Sequence, residues 1–316
     1  MKSVWFTAIL AIVIASLAFR RLATQSAAAT MYPVYFFSHG GPTFMYSDNP
    51  QFASSGDIGA FNKIRDLGSH IVNDLKPKYI LCVSAHWQPE TGGPSSVHVA
   101  VPSKQPTQDQ DIVANPLVYD FYGFPQFMYE EQFPSVASHA LANSVVEKLK
   151  QAGLNGAVEE RGIDHGVWVP FKVAFPKGLG DIPLLQVSLP QSDDFALSYK
   201  LGEALKPFRE DGMVIVSGMS VHNLRERGLP PQMLGYSELF NSKLTEILTK
   251  SVGDARLDGL QQLLSPEYIG LYRKAHPTPD HFLPVVVGAG LAGSENGTEL
   301  YTKASGSLGW NIYKFE

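Results

Sequence analysis

Short runs of consecutive apolar residues alternate along this chain with longer amphipathic stretches. Val34–Phe37, Tyr79–Val83, Ser96–Val101, Pro183–Leu189 and Met213–Val216 read as strands. Their apolar residues are mostly contiguous, the pattern of strands covered on both faces. Residues 57–75, 135–152, 193–208 and 236–252 read as helices; the first places Phe61, Ile64, Ile71 and Leu75 near helical spacing, the second Val145, Val146 and Leu149. Gly153 stands where the second helix would need a left-handed residue to end. The alternation predicts an α/β fold: a single domain with a mostly parallel or mixed central sheet flanked by helices. Residues 102–117 are polar, carry Pro106 and Pro116, and read as a long loop.

The first thirty residues break the pattern. Val4 to Phe19 is a sixteen-residue run without charge, flanked by Lys2 and Arg20-Arg21. It falls just short of the ~17–25 residues of a membrane helix. Residues 1–30 therefore read as a signal or anchor extension ahead of a globular domain at 31–316. An anchor through residues 4–19 comes first; a cleaved signal, an organelle-targeting segment and a second start at Met31 are the alternatives. Arg20-Arg21 against Lys2 leans the domain behind an anchor to the cytoplasmic side. The alternatives would put it outside the cell or in an organelle.

Charge and cysteine content narrow the chemistry. Lys and Arg number 25 and Asp and Glu 30, a net charge of −5 over 316 residues. Three of the bases and none of the acids lie in residues 1–30, which leaves the rest at −8. No nucleic-acid partner is expected of such a chain. The single cysteine, Cys82, excludes an internal disulfide framework and a thiolate-rich metal site; it reads as a buried core thiol. Nine histidines remain.

Three of them share one context. His39, His86 and His222 each follow an apolar run within a few residues. In an open α/β sheet the carboxyl ends of the strands line the ligand crevice, so these side chains should converge there, with a metal site at the strand C-terminal ends. His281 lies in His276-Pro277-Thr278-Pro279-Asp280-His281, where Thr278 as cap and Pro279 at the first position predict a helix with His281 in its first turn. His276 is the nearby competitor. His165 follows Asp164 between Gly162 and Gly166, glycines that let backbone approach a ligand, before a helix starting near Val167. His70, His98 and His139 fall within element bodies and read as background. Imidazole suits zinc, iron, copper or nickel. Asp280 is the only carboxylate adjoining the set, and neighbouring side chains on a helix diverge. The spacing favours three or four histidines and leaves the metal open.

The motifs Ser38-His39-Gly40-Gly41-Pro42, Ser84-Ala85-His86-Trp87, Tyr119-Asp120-Phe121-Tyr122-Gly123-Phe124-Pro125, Asp164-His165-Gly166-Val167-Trp168, Ser220-Val221-His222-Asn223-Leu224 and His276-Pro277-Thr278-Pro279-Asp280-His281 follow in this order. Gly306-Ser307-Leu308 comes near the end. Together they resemble the class III extradiol ring-cleavage dioxygenases, the LigB-like family, over about residues 32–315. The 4,5-DOPA dioxygenase extradiol branch is the nearer match.

The resemblance implies one divalent metal, Zn(2+) or Fe(2+), bound by His39, His86 and His281. It implies His222 as the acid/base histidine, close enough to count as a fourth ligand, and His165 as a second histidine contacting substrate or oxygen. The wider family has a glutamate where His281 stands, and many relatives have a histidine where Tyr119 stands. The implied reaction opens a catechol such as 4,5-DOPA with O2. The aromatic segment Tyr119 to Pro125 is a candidate lid over the ring. Arg225, Arg273 and Lys274 are candidate partners for a substrate carboxylate. Two alternatives stand beside this reading: a zinc hydrolase on the same scaffold, and a metal-binding protein without turnover. Oligomeric state is left open.

Overall fold

The five apolar runs become strands of one eight-stranded sheet. The computed structural model describes residues 31–107 and 111–316. The proposed anchor at residues 4–19 lies outside the described residues. Among the described residues no helix is long and apolar enough to cross a membrane.

In chain order the elements begin β1 (Val34–Ser38), α1 (Ile58–His70), β2 (Ile80–Ser84), β3 (Ser96–Val101), β4 (Ile112–Ala114), β5 (Val136–Ser138), α2 (His139–Gln151) and β6 (Asn155–Glu160). There follow α3 (His165–Ala174), β7 (Leu184–Val187), α4 (Phe195–Leu205), β8 (Met213–Gly218), β9 (Val221–His222), α5 (Tyr236–Lys250), α6 (Gly253–Gln262) and α7 (Ile269–Ala275). The chain closes with α8 (Leu283–Ala292), β10 (Gly297–Tyr301), β11 (Ala304–Ser305), β12 (Leu308–Gly309) and β13 (Ile312–Phe315).

The large sheet runs β10-β13-β1-β8-β2-β7-β3-β6. Its centre, β1, β8, β2 and β7, is parallel. β13 pairs antiparallel with β1 and β10, and β3 antiparallel with β7. The sheet is thus mixed, within the predicted class. Every residue of β1, β2, β7 and β8 is buried, which is why their sequences lack polar alternation. Two apolar cores form, one containing Val34, Val83 and Val216, the other Tyr35, Cys82 and Ile215. Successive side chains of a strand point to opposite faces, so each strand feeds both cores.

Helix ends follow local chemistry. Asp57, Ser138 and Asp194 cap α1, α2 and α4 by accepting from the backbone N–H of Ala60, Leu141 and Ala196. Gly153, at φ 74, follows α2 in the left-handed conformation its position called for.

Several expectations need correction. The 102–117 segment is not all loop: β4 pairs there with β5, which occupies the start of the predicted 135–152 helix. The helix near His281 opens at Leu283, with Pro284 in its first turn, and His281 sits in the turn before it. The helix expected near Val167 opens at His165. The edge strands β6 and β10, and β13 between β10 and β1, were not among the predicted strands. β6 reads Asn-Gly-Ala-Val-Glu-Glu and is half exposed, as an edge strand can be.

Candidate metal centre

Register brings the histidines together. Ser38 at the end of β1 lies opposite Gly218 of β8, and Ser84 at the end of β2 lies opposite Ser217. His39 and His86 therefore leave the sheet at one level, and the turn after β8 returns as β9 carrying His222. His281 arrives from another direction. Its carbonyl accepts from Met219 N–H at 3.0 Å, which ties the turn before α8 to the end of β8. His165 opens α3, whose start is pressed against β2. A Cβ on Gly166 would overlap Ser84 Oγ and stand 2.8 Å from His86 Cδ2. Gly166 thus serves the approach of α3 to β2, not of backbone to a ligand.

His39, His86 and His281 form a group whose ligand atoms lie within 4.8 Å of one another. His86 Nε2 is 3.1 Å from His39 Nε2 and 3.2 Å from His281 Nε2. Outer partners fix the protons. Ser217 Oγ gives its hydrogen to the Gly166 carbonyl, so it accepts from His39 Nδ1–H at 2.9 Å. His281 Nδ1–H donates to Asp280 Oδ2 at 2.6 Å. Both Nε2 lone pairs then face His86 Nε2. Three nitrogens packed this closely with at most one proton among them repel, and a cation at their centre relieves the repulsion. Metal–imidazole bonds of about 2.0–2.1 Å fit nitrogens spaced in this way. The residues present fit a divalent ion.

Burial, reinforced by the neighbouring imidazoles, holds His39 and His86 well below the usual histidine range. The rings are neutral, the form that ligates. Burial alone would raise the Asp280 carboxyl, but its hydrogen bond to His281 outweighs that and keeps it well below its ordinary value.

His222 stacks on His281, ring centroids 3.5 Å apart and planes within 12°. Burial and His281 lower it to about 2, against the opposing pull of Asp280. It stands outside the group of mutually close donor atoms formed by His39, His86 and His281. His165 packs beside His86 with centroids 3.9 Å apart.

Asp120 carries a role the sequence reading did not assign. Its Oδ1 accepts from His165 N–H at 2.9 Å and lies 2.9 Å from His165 Nδ1. Its Oδ2 is 3.6 Å from His86 Nδ1. Burial opposes ionisation of Asp120, yet the contacts with His165 prevail and the carboxyl is lowered. The signal was present, since Asp120 stands inside a quoted motif. Asp280 also departs from expectation: it turns onto the ring of His281 because the two share a turn, not a helix. Asp164 is fully buried and accepts from Ser84 Oγ at 2.7 Å, which braces the end of β2.

The remaining histidines lie elsewhere. His276 Nε2 donates to the Ser220 carbonyl at 2.9 Å among Phe240, Tyr272 and Phe282. His70 pairs with Asp74 at the surface, and His98 with Glu159 on the sheet edge. Burial pushes the Cys82 thiol well above its ordinary value, as befits an inert core residue.

A cavity of about 260 Å³ opens above the cluster, lined by His39, His86, His165, His222 and His281. Phe121, Tyr122, Phe124 and Trp310 form its aromatic walls. Tyr119 does not line it; its hydroxyl donates to the Glu131 carbonyl at 2.6 Å and its ring packs on Trp168. Gly40, at φ 61, lies so close under Trp310 that any side chain there would collide with the indole. None of Arg225, Arg273 and Lys274 lines the cavity; Arg227 does.

Comparison with known proteins bears on this arrangement. The family of the catalytic LigB subunit of aromatic ring-opening dioxygenase matches residues 33–315. A 4,5-DOPA dioxygenase extradiol-like protein of Schizosaccharomyces pombe is 33% identical over 274 residues, 84% of this chain and 86% of its own. The 4,5-DOPA dioxygenase extradiol of Beta vulgaris is 33% identical over 292 residues, 89% of this chain and 95% of its own. A crystal structure of an uncharacterised Escherichia coli K12 protein superposes with a TM-score of 0.62 at 25% identity, covering 90% of this chain and 100% of that one. The chain belongs to the LigB family of class III extradiol ring-opening dioxygenases.

Proposed function

We propose that this enzyme uses one divalent metal, Zn(2+) or Fe(2+), held by His39, His86 and His281, to open a catechol such as 4,5-DOPA with O2. The observation that carries the reading is the convergence of the three Nε2 atoms, with two tautomers fixed by Ser217 and Asp280. When bound, the metal supplies Lewis-acid activation of the two catechol oxygens and brings dioxygen beside them.

The chain's own residues do the rest. His222 is neutral at pH 7 because burial and His281 suppress its charging, so it offers a lone pair to a catechol hydroxyl, and the negative charge left on the substrate oxygen raises the ring's basicity as the proton moves. Its position outside the close donor group favours this acid/base role over that of a fourth ligand. His165, oriented by Asp120, donates to negative charge developing on oxygen or substrate. Phe121 and Phe124 take the flat ring, and the exposed Tyr122 stands at the rim of the cavity. Both oxygen atoms enter the product, a ring-opened semialdehyde cleaved beside the two hydroxyls. Five histidines gathered on one cavity, His165 and His222 beside the three close donors, support turnover over a binding-only role.

The test is reconstitution of residues 31–316 without air, separately with Fe(II) and Zn(II), followed by DOPA or caffeate and visible absorbance. A yellow ring-opened product that depends on one metal and disappears in His222→Ala supports the reading. Activity confined to esters or amides overturns it.

A further inference from the structure

We propose that Asp120, His165 and Nδ1 of His86 form a second, weaker divalent-cation site beside the first, and that an ion held there stops turnover. The site stands on geometry alone; only its effect on turnover rests on the ring-opening function proposed above.

His86 has two ring nitrogens and two sets of neighbours. Its Nε2 faces His39 and His281. Its Nδ1 lies 3.6 Å from Asp120 Oδ2. Asp120 Oδ1 in turn lies 2.9 Å from His165 Nδ1. One donor atom from each of His86, Asp120 and His165 lies within 4.8 Å of the other two, a second close group beside that of His39, His86 and His281. Atoms bonded to one ion at about 2.0–2.2 Å stand at most about 4.4 Å apart, and the two spacings fall inside that reach. Two imidazoles and a carboxylate suit zinc, copper or iron. All three residues line the histidine cavity, and among the described residues Asp120 is the only acid that does so. A cation entering the cavity is drawn to that carboxylate.

The fold builds this group in advance. Leu117 bridges Ile163 in parallel, and Val118 N–H donates to the Ile163 carbonyl at 2.8 Å. The Trp168 indole N–H donates to the Val118 carbonyl at 3.0 Å. These bonds lay the segment that carries Asp120 along the start of α3, where the His165 backbone N–H donates to Asp120 Oδ1. On the other side β2 leads into His86, whose ring centroid is 3.9 Å from that of His165. A carboxylate oxygen that already accepts one N–H keeps a further lone pair for a cation.

The second site fills after the first. An ion on His86 Nε2 leaves the ring's proton on Nδ1; a second ion takes that position and the proton passes to water. Two dications sharing one ring repel, so the second binds about a hundredfold more weakly. It also draws Asp120 away from His165 and occupies the nitrogen by which that ring is oriented. Metal that supports turnover at one equivalent therefore inhibits at two.

The test is equilibrium dialysis of the full chain against Zn(II), read by elemental mass spectrometry, with a parallel Cu(II) titration read by electron spin resonance. The wild type should take up one tight equivalent and then a second about a hundredfold weaker. Asp120→Asn and His165→Gln should lose the second and keep the first, which also reports that both variants are folded. Asp120→Glu should recover part of the second. Surface pairs such as His70–Asp74 and His98–Glu159 would hold ions in every variant. Two Cu(II) ions joined through one imidazole couple magnetically, so the second equivalent should extinguish the signal of the first. No second equivalent, one that survives both Asp120→Asn and His165→Gln, or an additive, uncoupled Cu(II) signal overturns the site. Turnover that continues unchanged as the second equivalent binds overturns the inhibition. Ring opening under no metal at all would sink the proposed reaction and leave the site, read by binding, standing.

Discussion

Asp280 accepts a 2.6 Å hydrogen bond from Nδ1 of His281, the residue next to it in the chain. The contact is available because both lie in the turn before α8. It fixes which nitrogen of His281 faces the cluster. Carboxylates of this kind orient a ligand and raise its basicity, and their loss typically costs about 10–100-fold in metal affinity. Asp280→Asn should weaken metal binding within that range while leaving the fold intact. Competition with a chelating dye measures it. Unchanged affinity would mean that the carboxylate does not set the tautomer.

Asp120 acts on a different ring. Its Oδ1 lies 2.9 Å from both the backbone nitrogen and the Nδ1 of His165. Asp120→Asn keeps the size and loses the charge. Turnover should fall by about 10–100-fold with a smaller change in KM, because orientation of a proton-handling group acts mainly in the transition state. A loss seen only in KM would assign Asp120 to substrate binding.

Most of this arrangement was legible in the chain, for a physical reason. Strands buried on both faces leave contiguous apolar runs, and parallel neighbours end on one edge, so His39, His86 and His222 announced their convergence. His281 was legible as a motif but not as geometry: Thr278 and Pro279 imitate a helix start that the backbone delays to Leu283. Asp120 and Arg227 were overlooked because they lie on connecting segments, where no periodicity marks the direction of a side chain. The edge strands β6 and β10 were missed because a partly exposed strand tolerates polar residues, and β13, mostly buried between β10 and β1, because its four residues Ile-Tyr-Lys-Phe make too short a run to stand out.

Acid should weaken the metal-free protein before ordinary carboxylates titrate. Burial lowers His276 to about 3 and His222 to about 2, and holds His39 and His86 well below 6.5. The unfolded chain takes up protons below about 6.5, whereas these folded rings resist them. The stability they protect is therefore complete above pH 6.5 and is lost as pH falls toward the folded values. Urea unfolding of the chelated protein should show a loss on the order of a few kcal/mol between about pH 6.5 and 4.5. A flat profile across that window would mean that the rings charge freely in the folded state.

Gly166 lets the start of α3 reach β2. Gly166→Ala places a methyl into Ser84 Oγ and against His86 Cδ2. The expected result is a folded but less stable protein, down by about 1–3 kcal/mol, with metal affinity reduced as His86 is displaced. Thermal unfolding with and without added metal separates the two effects. An alanine variant with normal stability and affinity would show that α3 has room to retreat.

The central claim is that His39, His86 and His281 hold one divalent ion. Its most direct test is metal stoichiometry by elemental mass spectrometry on the purified protein and on single alanine variants. The account predicts one equivalent of zinc or iron per chain, loss of most of it in His39→Ala, His86→Ala and His281→Ala, and retention in His222→Ala. A full equivalent surviving in the combined variant of all three histidines would contradict it.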